Sequence, residues 1–197
     1  MTRALRRLAP SGVGPAIVFR AITANVPLLQ TPQSWVRNQP AFERLAADCL
    51  PDAAAALQAA GVLEVEKVWT ELAYESVRAA AARDWPSRLD SLFAFADPVE
   101  AFDFGYETLG VKQAWEGTVP DGVAWAQVDM SVFRVERVAA ATPAEFADAW
   151  QRAERGAHDY WSRSADPEVA EILVAGPIQL VRRVTLTDLF RTLGILE

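Results

Sequence analysis

The chain has one cysteine, Cys49, and one histidine, His158, among 197 residues. A single cysteine excludes an intrachain disulfide and suits a buried thiol in a reducing cytoplasm. Without a Cys/His cluster no zinc site is expected, and no metal is assigned. Long apolar runs are also missing. Arg3, Arg6 and Arg7 precede an apolar stretch, but Pro10, Gly12, Gly14 and Pro15 interrupt it, so no signal-peptide core results. The alanine-rich stretch from Leu45 to Leu63 carries Asp48, Pro51, Asp52 and Gln58 and is not a membrane span. No P-loop, Gly-x-Ser-x-Gly or His-Glu-x-x-His motif is present. Gly12-Val-Gly-Pro precedes a strand instead of following one, so it is no dinucleotide fingerprint. A net charge of -7 argues against a nonspecific grip on phosphate backbones, though not against a small nucleotide.

What is present suits one globular domain. Apolar residues make up 51% of the chain and tryptophans number seven, enough for a full core with large side chains to spare for a pocket. Residues 1–15 read as a mobile basic lead-in and residues 16–197 as a single domain. Ala16 to Ile22 is rich in β-formers and reads as the first strand. Residues 23–40 read as a long loop, and 41–60 as helical material broken near Pro51, with a short strand at 61–65. Glu66 to Ala82 has helical spacing, with Trp69, Leu72, Ala73, Val77 and Ala80 inward. Ser91 to Ala96 is a strand. Asp97-Pro-Val-Glu100 and Thr142-Pro-Ala-Glu145 are capping boxes that open helices to about Leu109 and Trp161. Val123 to Val138 is a long strand bent near Ser131 to Phe133. Glu171 to Ala175 and Ile178 to Val184 form a hairpin about Gly176-Pro177, and a short helix from Leu186 to Thr192 follows. Helices and strands do not alternate regularly, so the fold class is α+β.

Three places put polar chemistry at or near apolar runs, where it needs a partner or a task. Arg20 shares a strand face with Val18 and Ile22, and its planar fork suits a carboxylate or a phosphate. Pro86-Ser-Arg-Leu-Asp-Ser-Leu-Phe-Ala-Phe95 leads through a turn into a strand that begins with Ser91. Glu171 opens Ile172-Leu-Val. Other candidates weigh less. His158 reads as a solvated imidazole. Glu71 and Glu75 read as a solvated helix face, with Glu75 paired to Arg78.

The order of basic residue, Ser/aromatic strand and glutamate resembles the three catalytic strands of the ADP-ribosyltransferase-like superfamily. The Pro-Ser-Arg-x-x-Ser-hydrophobic-Phe stretch is similar to one in an uncharacterised bacterial branch of it. The resemblance implies a split β-sandwich with surrounding helices, and NAD as a consumed substrate. It implies that Arg20 anchors NAD, that Ser91 orders the middle strand, and that Glu171 is the catalytic carboxylate on the nicotinamide ribose. Phe93, Tyr160 or Trp161 would stack the nicotinamide. Many members carry a second acid or Gln two residues before the glutamate, and here that position is Val169. The acceptor of ADP-ribose would be a protein, a nucleic acid or water, and a toxin or effector role, with a neutralising partner, follows by analogy. The alternative is a non-catalytic binding, immunity or antitoxin protein, which the missing acid at Val169 favours.

Overall fold

The computed structural model describes residues 11–13, 16–22, 27–47, 50–110, 113–162 and 167–196. Cys49 and residues 1–10, 14 and 15 of the expected lead-in lie outside them. The described residues group into two compact units. A sheet unit takes Met1–Pro32, Ser91–Met130 and Arg163–Glu197, and a helical unit takes Gln33–Asp90 and Ser131–Ser162.

The sheet unit holds β1 (Ser11–Val13), β2 (Ala16–Ala21), β3 (Leu29–Gln30), β4 (Leu92–Phe95), β5 (Ala114–Val119), β6 (Ala124–Asp129), β7 (Ala170–Val174) and β8 (Ile178–Arg183). They form one antiparallel sheet in the order β1-β6-β7-β4-β2-β5-β8-β3. The α+β class therefore stands. Ser11–Val13, expected in the lead-in, instead pairs with Ala124–Ala126 and forms the edge strand of the sheet. Pairing is uneven: β2 matches β5 at six positions but β4 at one, Phe19 opposite Phe95.

Alternation sorts the side chains by face. Val18, Ile22, Leu92, Ala94, Ile172 and Val174 gather on one face. Phe95, Ala114 and Val184 gather on the other, together with Ala101 of α4 (Pro98–Leu109) and Leu189 of α6 (Leu186–Thr192). Asp97 caps α4 by accepting from Val99 N. Its expected box partner Glu100 turns away and accepts from Ala170 N at 3.3 Å. Thr185 and Asp188 complete a capping box on α6.

The helical unit contains α1 (Phe42–Leu45), α2 (Leu50–Ala59), α3 (Val65–Ala81) and α5 (Pro143–Tyr160). Glu64 adopts a left-handed conformation at the start of α3, where a short strand was expected. Trp69, fully buried, meets Phe146 and Trp150 edge-on at 5.4 and 5.3 Å. Thr142 and Glu145 form the expected capping box on α5. No helix among the described residues is long and apolar enough to cross a membrane.

Glu71 corrects the solvated-face expectation. It is 5% exposed and receives a bidentate pair from Arg88, Nε at 2.8 Å and Nη2 at 3.0 Å. The Arg88 guanidinium lies over the Phe133 ring at 4.1 Å and also donates to the Tyr160 hydroxyl. Glu75 pairs with Arg78 as expected, and it also accepts from Ser87 Oγ at 2.8 Å. A bidentate, hydrogen-bonded pair is the form in which a buried charge is tolerated. Ser87 and Arg88 thus fasten their turn to α3 within the helical unit.

Candidate functional site

The three strands that carry the sequence candidates are neighbours. β4 lies between β2 and β7, so Arg20, the Ser91–Phe95 run and Glu171 fall in adjacent strands. Arg20 is partly buried, and its Nη1 donates to the Phe93 carbonyl at 3.1 Å. The bond bridges β2 and β4 beside their single backbone pairing. Burial pushes the Arg20 guanidinium down to about 10, and no nearby opposite charge offsets that desolvation. Among the described residues no carboxylate pairs with it, so the salt bridge that would make Arg20 structural is not found there.

Glu171 is 2% exposed. The backbone leading into it is held by carboxylates on consecutive amides. Asp129 accepts from Glu168 N at 3.1 Å and from Val169 N at 3.3 Å, and Glu100 accepts from Ala170 N. Desolvation raises the Glu100 carboxyl, the Ala170 bond opposes this, and the charges of Asp97 and Asp129 add to the rise.

Register decides whether these groups share a face. Residues directly opposite in an antiparallel pair point the same way, and successive residues alternate. Phe19 lies opposite Phe95, and Phe95 lies opposite Glu171. Glu171 therefore leaves the sheet on the face of Phe19, and Arg20 leaves on the other, with Val18 and Ile22. The two backbones are roughly 10 Å apart at ordinary strand spacing, yet their side chains depart in opposite directions. The structure brings the strands together and sends the two key side chains apart.

The remaining candidates divide similarly. Ser91 is buried just ahead of β4, and its turn of the strand matches that of Phe93 and Phe95. Phe93 offers its carbonyl to Arg20, but its ring leaves on the Glu171 face. Tyr160 belongs to the helical unit, 1% exposed, with Tyr74 at 5.4 Å and Trp161 at 4.8 Å against its ring. Trp161 donates its Nε1 to the Tyr74 carbonyl at 2.9 Å. Both aromatics are packing elements of that unit.

The aromatic that does stand beside Arg20 is Trp115, directly opposite it on β5. Trp115 is not among the sequence candidates, since no element is expected between Leu109 and Val123. The available signal was the two-residue alternation of Trp115, Gly117 and Val119 against Ala114, Glu116 and Thr118. No protein-family model matches the chain, and a search of curated proteins finds no match.

Proposed function

We propose that this protein binds a phosphate-bearing nucleotide at Arg20, on a scaffold of the ADP-ribosyltransferase-like type, without using Arg20 and Glu171 as one catalytic pair. The observation that carries the reading is the Arg20 guanidinium: desolvated, bonded to one carbonyl, and lacking a carboxylate among the described residues. A cation in that state is stabilised by an anion, and a diphosphate matches its fork. The scaffold assignment is supported by the adjacency of β2, β4 and β7 and by the single β2–β4 pairing, as a sheet that splits there would have. The non-catalytic character is supported by the register, since two groups on opposite faces cannot grip one dinucleotide in a reactive pose. Val169, in place of a second acid or Gln, points the same way.

A second reading, NAD consumption, is favoured by the buried Glu171 and the clamped backbone before it. In that chemistry the nicotinamide–ribose bond breaks with its electron pair leaving on neutral nicotinamide, and a carboxylate steadies the ribosyl cation until an acceptor attacks it. The acceptor would be water, a protein or a nucleic acid.

Calorimetric titration with NAD and measurement of nicotinamide release separate the two. NAD binding that is lost in Arg20→Gln, with no nicotinamide released, is the expected result. Nicotinamide release that disappears in Glu171→Gln would replace the binding reading with the enzymatic one. Absence of any binding in the unaltered protein would overturn both.

A further inference from the structure

Arg20 has two neighbours in line with it across the sheet. Trp115 on β5 lies directly opposite Arg20 on β2, and Arg183 on β8 lies directly opposite Trp115. Directly paired residues share a face, so Arg20, Trp115 and Arg183 form one transverse row. On the backbone Trp115 lies between the two arginines, about 5 Å of strand spacing from each, while the Arg20 guanidinium itself is bonded to the Phe93 carbonyl of β4. The row runs from partly buried Arg20 through partly buried Trp115 to exposed Arg183.

Charge on these three strands is sorted by face. The only acid in β2, β5 and β8 is Glu116, which alternates to the face opposite Trp115. There it takes a hydrogen bond from Arg182 at 2.6 Å, while Asp188 takes another at 2.7 Å and is itself held down to about 2. Arg182 is thus doubly neutralised. Arg183, the next residue, has no carboxylate partner among the described residues, and neither has Arg20. In a chain of net charge -7, one sheet face thus carries two arginines without a carboxylate partner among the described residues.

We propose that the Arg20–Trp115–Arg183 row is the ligand-reading surface of the nucleotide site, and that its ligand carries a flat base and at least two phosphate charges, as a nucleoside diphosphate does. The inference rests on the binding reading above and adds Trp115 and Arg183 to it. The indole supplies a stacking platform, which tolerates any base because every base has a π-face. The two guanidinium groups supply charge-assisted donors to the phosphates. Ring and charge together predict that neither half of the ligand binds well alone.

The test titrates the full-length protein with ADP, pyrophosphate and adenosine, each separately. ADP should bind at least tenfold more tightly than pyrophosphate or adenosine. Trp115→Ala should erase the advantage of ADP over pyrophosphate and leave pyrophosphate affinity within about twofold. Trp115→Leu, which keeps apolar packing but removes the stacking ring, should do the same if the alanine variant fails to fold. Arg183→Gln should weaken ADP and pyrophosphate alike by about tenfold, with adenosine unchanged. If ADP binds and Arg20→Gln abolishes it, but the Trp115 and Arg183 variants behave as the parent, the row is refuted while the binding reading survives. Adenosine binding as tightly as ADP would likewise refute it. If no probe binds the parent protein, the binding reading falls and the row falls with it.

Discussion

Replacing Arg20 with methionine removes the charge and keeps the length of the side chain. Burial lowers the guanidinium to about 10, a displacement that corresponds to roughly 3 kcal/mol against the charged form. The substitution also deletes the bond to the Phe93 carbonyl, worth about 1 kcal/mol. Because burial is incomplete, the net gain is about 1–2 kcal/mol. For a chain of this size that raises the melting temperature by about 2–8 °C. The sign with pH follows from linkage. A base whose folded pKa is depressed costs stability fully below that value and is relieved as pH rises through it, because the unfolded chain then binds more protons. The stability advantage of Arg20→Met should hold at pH 7 and shrink above about pH 10. Thermal melts by circular dichroism, with and without pyrophosphate, check both halves. The apo variant should melt higher than the parent, and pyrophosphate should raise the melting temperature of the parent only. A variant that melts lower at pH 7 would refute the reasoning, since Arg20 would then be a structural residue with no claim on a ligand.

Glu171→Gln should leave NAD affinity within about twofold, because the carboxylate lies on the face away from Arg20; calorimetry checks this, and a loss of tenfold or more would contradict the register argument. Glu100→Gln should raise the melting temperature at pH 7 by on the order of 2 °C. The raised Glu100 carboxyl costs stability when ionised, so the difference should vanish as pH falls below the carboxylate range. In the helical unit, Arg88→Met should cost about 3–5 kcal/mol in urea unfolding by stranding buried Glu71, and the double variant Glu71→Leu/Arg88→Met should recover most of that loss.

Local signals in the sequence carried over in part: both strands flanking Gly176-Pro177 form, but they are not the expected hairpin, because β7 pairs with β6 and β4 while β8 pairs with β5 and β3. The Thr142–Glu145 box and the last helix from Leu186 are found where the residue pattern puts them. The 97–100 box is half right: Asp97 caps, but Glu100 is drawn off to the backbone of β7, a partner 70 residues away. Strand β6 stops at Asp129, and the expected bend at 131–133 is a short 3-10 turn over Met130–Val132. β1 has no counterpart among the expected strands, because a three-residue edge strand containing Gly12 has little pattern to show. Glu71 departs from expectation for a different reason. Spacing along a helix shows which residues share a face, but not whether an arginine from 17 residues on will cover it. Arg20's face was legible, since Val18 and Ile22 flank it in alternation; its neighbours across the strands were not.

The separation of Arg20 from Glu171 illustrates why motif order alone does not assemble a site. Alternation has a period of two, so a slip of one residue in either the β2–β4 or the β4–β7 ladder would return Glu171 to the face of Arg20. The β7 ladder is defended against such a slip at the residues before Glu171. Asp129 and Glu100 take the amides of residues 168, 169 and 170, while Met130 N and Ala96 N donate to the carbonyls of Val169 and Ala170 at 2.9 and 3.0 Å. Moving the strand by one residue would break this set together and leave polar groups of a partly buried corner unsatisfied, each at a cost of about 1–3 kcal/mol. β2 is held as firmly on its other side by six pairings with β5. The ladder between β4 and β2, with one pairing and one arginine bond, is the weak seam. Any state of this protein in which Arg20 and Glu171 met on one ligand would have to be made by movement at that seam, whereas the row with Trp115 and Arg183 needs no strand to move.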